Sequence, residues 1–535
     1  MKRVMLGRLM FGVMVAALVV GQLPVRAQGG PSPAQGSVPP APTPLPPVRS
    51  DDPWFGAVQA IAAPQAALNA GVKWQRLIFP WDQIQPNNST EFQQGYFSDA
   101  DIDAQLALGL EITGVTLYTP RWAARDPSYG GRSVPANLGR PIDDPRNYWA
   151  AYVKQLVGHY RGRINNWVFY NEPDMYRDPN DYHTFAGTPE DYAQVLKTAY
   201  LAAKSVNPDA KVIMAGFTYS WDKEAGRPQY LQRVLDAIGG DPNAARYNWY
   251  FDVVDAHTYG NPLNTFAVPT VFRRILRDKG LDKPIWITES NVLVQNDPRV
   301  AAGEGPFRGT LDDQASYVIQ AMALARAAGV QRFSMYKMQD EAPENGDEYW
   351  GLTRNDGTVR PEYLAYQVAA RYFQNVRGAI YYWWGSQIPP SEQEVTALLA
   401  SNTNRFQWPW PAPVNVVVLD RGTERVTVIW NGASLPATVA LPAQSRSARI
   451  VDKYGREQPL VATNGYYPLN LEPSRNNSDP RDPTAYLVGG SPWLIVEDMT
   501  QAVTPAPTFT PTPGPSPTPH ATFLPTPGAS GAPRP

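Results

Sequence analysis

Short runs of apolar and β-branched residues alternate with amphipathic stretches from Trp54 to about Asn375. Segments with the 3.6-residue spacing of amphipathic helices lie between the runs, most clearly at 146–159, 189–205 and 311–328. This alternation of strands and helices predicts parallel strands joined by crossover helices. The runs that read as buried strands begin at Trp54, Val72, Glu111, Asn166, Lys211, Phe251, Pro284 and Arg332.

Eight strand–helix units in about 320 residues match the usual size of a closed (β/α)8 barrel. The alternative is a doubly wound open sheet, which calls for a glycine-rich phosphate loop after its first strand. No such loop follows the first run. The predicted fold class is therefore α/β, with a (β/α)8 TIM barrel over residues 51–375.

The periodicity changes after a connecting segment at 376–412. From VNVVVLD to PWLIVED the apolar residues alternate with polar ones, and Gly, Asn, Asp and Pro separate the runs. Alternation without a helical period is typical of antiparallel strands with one buried face. We expect a small antiparallel β-sandwich over residues 413–499, as an accessory domain behind the barrel.

The two ends of the chain have the composition of targeting and spacer segments. Basic residues precede the apolar run Leu9 to Val20, and small residues surround a predicted cleavage after Ala27, so residues 1–27 read as a signal peptide. An uncleaved N-terminal anchor is the alternative, and either would place the rest of the chain outside the cell. We expect a secreted or cell-surface protein with no membrane span in the mature chain. The Pro-rich linker 28–50 and the Pro/Thr-rich tail 500–535 are predicted to be extended and disordered.

Composition narrows the possible partners. Lys and Arg number 47 against 49 for Asp and Glu, giving a net charge of −2, which argues against a nucleic-acid partner. The chain has no cysteine, and none of its four histidines has zinc-site spacing, so we expect neither a metal nor another cofactor. Aromatic residues make up 11% of the chain, which suits either a large core or surfaces that stack on rings.

Two glutamates follow apolar runs at the strand ends where barrel enzymes carry their chemistry. The fourth run ends in NEP, with Glu172, and the seventh ends in TES, with Glu289. Two carboxyls facing one mouth suggest glycoside hydrolysis, in which one group protonates the leaving oxygen and the other attacks the sugar or activates water.

The two carboxyls need different environments to divide this work. Glu172 precedes Pro173 and comes two residues after the aromatic Tyr170, which predicts a drier site and a raised pKa suited to an acid. Glu289 would stay ionised if Tyr259 donates a hydrogen bond to it. A purely structural pair of carboxylates, held by Arg76, is the alternative.

The strings WVFYNEP and IWITES resemble the strand-four and strand-seven signatures of clan A glycoside hydrolases, which are retaining (β/α)8 enzymes. The resemblance covers about residues 54–375 and implies that Glu172 is the acid/base and Glu289 the nucleophile. Within the clan, VKWQRLIFPWDQIQP is similar to the second-strand segment of the β-xylosidase and α-L-iduronidase family.

The same resemblance implies a set of substrate-binding residues. Asn171 would bind the sugar 2-hydroxyl, Arg76 would lie near the nucleophile, and His257 and Tyr259 match the H-x-Y pattern of the sixth strand. Trp350, which follows the eighth run, is a candidate platform for a sugar ring. For His257, Tyr259 and Trp350, a plain packing role in the core is the open alternative.

These observations predict an exported retaining glycoside hydrolase that acts on an oligosaccharide or polysaccharide. A non-catalytic carbohydrate-binding surface protein on the same barrel is the alternative from another class. The intact pair Glu172 and Glu289 favours the enzyme. A transglycosidase would keep the same residues and differ in how it excludes water.

Overall fold

The structure is a computed structural model. It describes residues 41–178, 181–294, 297–299, 309–341, 349–386, 388–400, 414–475 and 488–502. The predicted signal peptide, most of the predicted N-terminal linker, residues 401–413 and nearly all of the C-terminal tail lie outside the described residues. None of the helices in the described part of the chain is long and apolar enough to cross a membrane.

Eight parallel strands form the first sheet, in the order β5-β4-β3-β2-β1-β8-β7-β6. Isolated parallel bridges from Ile213 to Val253 and from Phe217 to Ala256 join β5 to β6 and complete the ring. The eight predicted strands and the TIM-barrel fold class are thereby confirmed. The strands are β1 Phe55–Val58, β2 Trp74–Pro80, β3 Glu111–Leu117, β4 Asn166–Phe169, β5 Lys211–Ile213, β6 Val254–Tyr259, β7 Ile285–Asn291 and β8 Arg332–Met335.

Helices connect the strands around the outside of this ring. The two longest helices begin at capping boxes. The side chains of Thr188 and Thr310 accept from the backbone N–H three residues later, and the side chains of Asp191 and Asp313 accept from the backbone N–H of these threonines. The helices are α1 Pro64–Ala70, α2 Trp81–Ile84, α3 Asp99–Ala107, α4 Tyr148–His159, α5 Pro189–Val206, α6 Ser220–Glu224, α7 Tyr230–Gly239, α8 Asn264–Asp278, α9 Leu311–Ala327, α10 Pro361–Tyr372 and α11 Glu392–Ala400.

Large aromatic side chains fill the barrel next to glycines. A Cβ on Gly56 would lie 2.3 Å from the ring of Trp74, and one on Gly114 would lie 2.4 Å from the ring of Trp167. Both tryptophans are almost fully buried. The glycines therefore let wide rings lie flat against the neighbouring strand, which gives a core packed at the density of protein interiors.

The C-terminal part consists of a six-stranded sheet, ordered β14-β13-β16-β11-β10-β9, and a two-stranded sheet of β12 and β15. The predicted β-sandwich is confirmed as a fold class. Its edge strand β9 comes from the connecting segment 376–412. The strands are β9 Gly378–Trp383, β10 Val414–Asp420, β11 Glu424–Asn431, β12 Ala437–Pro442, β13 Ala448–Asp452, β14 Glu457–Leu460, β15 Tyr466–Leu471 and β16 Trp493–Asp498.

The six-stranded sheet packs on the barrel helices through one face. Val417, Val428 and Trp430 belong to the same hydrophobic cluster as the barrel core, whereas Val416 and Ile429 on the opposite face pack with the two-stranded sheet. This division follows the two-residue alternation along β10 and β11. One continuous core therefore spans the barrel and the sheet behind it.

Polar contacts fix the same interface at helix α9. Gln320 donates to the carbonyl of Gly490 over 2.9 Å and accepts from the backbone of Gly489 over 3.0 Å. Lys453 lies buried, 2.8 Å from Asp312 and 2.8 Å from the hydroxyl of Ser316. A buried ammonium is tolerated only when it is paired in this way, so the sheet is held in one orientation.

Candidate active site

The predicted glutamates meet at the carboxyl end of the barrel. Glu172 comes three residues after β4 and Glu289 lies within β7, and each residue is 3% exposed. The chain turns sharply after β4, because Tyr170 and Glu172 have φ values of 71° and 44°. Non-glycine residues rarely adopt positive φ values, and those that do cluster at functional sites.

The distance between the acidic groups is short. One carboxylate oxygen of Glu172, one of Glu289 and a ring nitrogen of His257 all lie within 4.8 Å of one another. Two carboxyls at this separation, with almost no exposure to water, cannot both be ionised at low cost. What surrounds each of them therefore decides which one keeps its charge.

Glu289 is surrounded by donors and positive charge. Arg76, from β2, places Nη1 2.6 Å from Oε1, and the Tyr259 hydroxyl donates to Oε2 over 2.6 Å. Burial favours the neutral acid, but the charges of His257, Arg76 and Lys337 and the Tyr259 bond outweigh it and hold the pKa of Glu289 below its ordinary value. Glu289 is the ionised member of the pair.

Glu172 has a drier environment with fewer donors. Its Oε1 lies 2.7 Å from Nδ1 of His257, and Thr184 donates to its backbone carbonyl. Burial is the largest influence and the nearby charge of Glu289 adds to it, so the pKa of Glu172 is raised despite His257. The environments of the two glutamates therefore differ in the direction that the local sequence predicts.

His257 links the two carboxyls. Burial alone would lower its pKa, but Glu289, Asp255 and Glu172 together raise the pKa of His257 to about 10. On its other side Nε2 lies 3.2 Å from the Thr288 hydroxyl and 3.6 Å from Asp255. The imidazolium therefore stays charged at neutral pH and fixes the geometry between the two glutamates.

The remaining predicted site residues lie around this centre. Asn171 accepts from Nη2 of Arg76 over 2.5 Å, so its amide orientation is fixed. The ring of Trp350 packs edge-to-face on Tyr259, with centroids 5.4 Å apart. Trp350 is buried, so it positions Tyr259 by packing, and its predicted contact with a sugar ring stays a prediction.

The cluster of Glu172, His257 and Glu289 has donor types that a zinc ion could use. In this arrangement His257 is held within hydrogen-bond distance of Glu172, and the guanidinium of Arg76 is paired with Glu289. Both carboxylates thus have cationic partners from the chain itself. The arrangement fits proton sharing between side chains better than coordination of an ion.

Several residues at this site were missed by sequence reasoning. Lys337, two residues after the end of β8, is buried, pairs with Glu341 over 2.5 Å and lowers the pKa of Glu289. Asp255 accepts from both the backbone and the hydroxyl of Thr288. A Cβ on Gly216 would lie 2.0 Å from the His257 ring. Lys337 and Gly216 follow strand ends, which was a usable signal, whereas Asp255 lies inside β6 and its partner Thr288 is 33 residues away in sequence.

Comparison with known families adds an independent finding. Residues 119–366 match the family model described as glycosyl hydrolase catalytic core. The matched segment runs from the end of β3 to α10 and includes both glutamates. It leaves out the first strands of the barrel and the whole C-terminal sheet.

Three solved structures of similar fold carry the same architecture. A family 39 glycoside hydrolase from the gut symbiont Bacteroides cellulosilyticus WH2 has 17% identity and a TM-score of 0.56, over 85% of this chain and 83% of that one. A monomeric β-xylosidase from Caulobacter crescentus CB15 has 15% identity and a TM-score of 0.50, over 86% of this chain and 98% of that one. A family 30 subfamily 8 xylanase from Clostridium acetobutylicum has 16% identity and a TM-score of 0.50, over 83% of this chain and 95% of that one.

At these identities the structural likeness shows the fold, and the family match shows the class of activity. The resemblance to clan A barrels predicted from the strand-four and strand-seven motifs is confirmed. Residues 119–366 match a glycosyl hydrolase catalytic core, and the chain is a glycosidase.

Proposed function

We propose that the protein is an exported retaining glycoside hydrolase with Glu172 as acid/base and Glu289 as nucleophile. The observation that carries the proposal is a pair of buried carboxyls, close together, whose pKa values are shifted in opposite directions. Such a divergence is how one site supplies both an acid and an ionised nucleophile at one pH.

In the first step, Glu172 gives its proton to the glycosidic oxygen as the bond to the anomeric carbon breaks. A carboxylate oxygen of Glu289 attacks that carbon from the opposite face and forms a glycosyl ester. Arg76 and Tyr259, each 2.6 Å from Glu289, hold its carboxylate in the attacking orientation.

In the second step, Glu172 is ionised and accepts a proton from a water molecule. The resulting hydroxide forms a bond to the anomeric carbon and expels the Glu289 carboxylate, so the sugar leaves with its original configuration. The bond to His257 keeps Glu172 in place while its proton departs and returns.

Retention is proposed because of the separation of the acidic groups. Carboxyls about 5 Å apart leave no room for a water between nucleophile and sugar, whereas inverting enzymes keep them about 6.5–9.5 Å apart. The closest oxygens of Glu172 and Glu289 lie within 4.8 Å. This distance fits direct attack by Glu289.

A panel of aryl glycosides, with the product anomer followed by NMR, tests the reaction and its stereochemistry together. A xylanase and a β-xylosidase are among the structures of similar fold, so aryl β-xylosides are the first substrates to include. We expect the first-formed product to retain the configuration of the substrate. An inverted first product would refute the mechanism, and no product from any panel member would favour a non-catalytic binding protein.

The separate roles are tested by two substitutions. Glu289→Ala should abolish turnover, and azide should restore it with an inverted glycosyl azide as product. Glu172→Ala should largely spare substrates with good leaving groups, because these need little protonation. Glu111→Ala, at the opposite end of the barrel, is the matched control. Identical behaviour of the two active-site variants across leaving groups would contradict the assignment.

We also propose export through the N-terminal segment. Its basic start, apolar run and small residues before position 28 support this reading. Expression with and without residues 1–27 in a secreting host, followed by N-terminal sequencing of protein in the medium, tests it. Appearance in the medium without that segment would contradict the proposal.

A further inference from the structure

The turn that carries Glu172 is anchored by a third acidic residue. Asp174, two residues after Glu172, is 1% exposed, and its Oδ2 accepts from the backbone N–H and the hydroxyl of Thr218 over 2.7 Å and 2.8 Å. Thr218 belongs to the loop that follows β5, the strand next to β4 in the barrel. Asp174 therefore ties the turn after β4 to the loop after the neighbouring strand.

The loop that contains Thr218 also contacts His257. Phe217, immediately before Thr218, accepts from the backbone N–H of His257 over 3.0 Å. Gly216 lies so close to the imidazole that a Cβ there would come within 2.0 Å of Nε2. This loop is thus fixed directly against the His257 side chain and backbone.

These contacts close a ring around the hydrogen bond between Glu172 and His257. The path runs from Glu172 along the chain to Asp174, and then through the bonds of its carboxyl to Thr218. It continues along the chain to Phe217 and crosses to His257, whose Nδ1 lies 2.7 Å from Oε1 of Glu172. Removal of the Asp174 carboxyl would free the turn to move relative to the imidazole.

The position of Asp174 is costly for a carboxyl. Its Oδ1 is buried and has no hydrogen-bond partner among the described residues. Burial, followed by the charges of Asp222 and Glu172, raises the pKa of Asp174 to about 7. Unpaired buried oxygens are uncommon, and each calls for an explanation. The φ of 44° at Glu172 suggests one, because such a conformation persists only where the surrounding structure holds it in place.

We propose that Asp174 is a positioning residue that, through Thr218, sets the orientation of Glu172 relative to His257. The inference rests on the proposed role of Glu172 as acid/base and deepens it. Loss of the anchor should let Glu172 rotate away from the glycosidic oxygen while it keeps its carboxyl. Proton transfer should weaken, whereas attack by Glu289 should persist, since its guanidinium and phenol partners lie outside this ring.

The first test compares leaving groups. For full-length chain, kcat/KM is measured with dinitrophenyl and phenyl β-xylosides and with the matching β-glucosides, because only the phenyl glycosides need strong protonation. Asp174→Ala should lose about tenfold to hundredfold on the phenyl glycoside and less than about threefold on the dinitrophenyl one. Asp174→Asn keeps an acceptor oxygen and should stay within about threefold on both. Thr218→Val removes one of the two donors and should lose about threefold to tenfold on the phenyl glycoside.

Leu324→Ala is the matched control for a loss of stability alone. Leu324 is fully buried in α9, near the end of that helix that precedes β8, at the opposite end of the barrel from the glutamates. This variant should melt at a lower temperature because it leaves a cavity. The ratio of its kcat/KM values for the two leaving groups should equal that of the wild-type chain.

A second measurement reports the geometry without turnover. The chain has four histidines, so isotope-labelled histidine gives a simple NMR spectrum, in which the signal missing from His257→Gln identifies His257. Because its pKa is raised to about 10, His257 carries a proton on Nδ1 at neutral pH, and the bond to Glu172 should place that proton far downfield. Asp174→Ala and Thr218→Val should move this signal upfield or broaden it. Asp174→Asn and Leu324→Ala should leave it in place.

Failure of this inference and failure of the proposed function are distinguishable. A wild-type chain that hydrolyses none of the aryl glycosides would count against the proposed function, and the His257 signal alone would then decide the role of Asp174. In an active chain, equal losses on both leaving groups in Asp174→Ala would overturn the positioning role, as would an unchanged His257 signal. If Asp174→Ala does not fold, the same two outcomes in Thr218→Val decide.

Discussion

Replacement of Tyr259 by Phe isolates one of the interactions that keep Glu289 ionised. The hydroxyl lies 2.6 Å from Oε2 of Glu289, and the ring packs against Trp350. Phenylalanine keeps the ring and removes the donor. Glu289 then retains Arg76 at 2.6 Å and His257 at 3.4 Å, so the site stays assembled with one hydrogen bond fewer.

The size of the effect follows from the charge on the acceptor. A hydrogen bond to a charged group contributes about 1.5–3 kcal/mol, which corresponds to about a tenfold to 150-fold loss in kcat/KM. Because the bond favours the ionised carboxylate, its loss raises the pKa of Glu289, by about one to two pH units if the full energy acts on ionisation. The acidic limb of the pH–rate profile should therefore move to higher pH.

The assay is the pH dependence of kcat/KM for an activated aryl glycoside, since this profile reports groups of the free enzyme. Tyr363→Phe is the matched control, because its hydroxyl donates to the carbonyl of Ala66, away from the glutamates. An unchanged acidic limb in Tyr259→Phe, with a loss no larger than in the control, would refute the argument that Tyr259 stabilises the charge of Glu289.

Two further predictions concern stability. A chain ending at residue 503 should keep its activity and melting temperature. A chain ending at residue 412 exposes the barrel face that packs on Val417 and Trp430, so it should melt at a lower temperature or be insoluble. A soluble, fully active chain ending at 412 would contradict this. Burial and the charge of Asp222 raise the pKa of Asp174 to about 7. Between about pH 4 and pH 7 the Asp174 carboxyl therefore keeps its proton in the folded state and loses it in the unfolded state. The free energy of unfolding should fall as the pH rises through this range. Asp174→Asn should reduce this fall in urea titrations at pH 4 and pH 8, and an unchanged difference would contradict the assignment.

The barrel and its glutamates were predictable because their signals are local. A buried parallel strand is a short apolar run, and eight such runs correspond to β1–β8. The carboxyl end of a strand is where barrel chemistry lies, so Glu172 and Glu289 could be selected without knowing any contact. Their different environments were foreseen only in part, since the donor from Tyr259 was expected but the link through His257 was not.

Features that depend on distant partners carried no comparable signal. Strand β9 includes the exposed Ile380, and its identity as a strand rests on pairing with β10 more than thirty residues later. Strand β14, with the sequence EQPL, is polar and is a strand only because β13 lies beside it. The contact of His257 with Glu172 joins two strand ends 85 residues apart. Spacing along the chain contains none of this information.

The backbone of Glu172 has a consequence for how this protein can change over time. Tyr170 and Glu172 both hold positive φ values, and each such residue costs about 1–3 kcal/mol that the surrounding packing must offset. Glycine would adopt the same conformation without that cost. Replacement of Glu172, the proposed acid/base, by glycine would remove this backbone strain, but it would also remove the carboxyl that pairs with His257 and that the proposed mechanism needs. At position 172 backbone relaxation and the proposed activity therefore oppose each other.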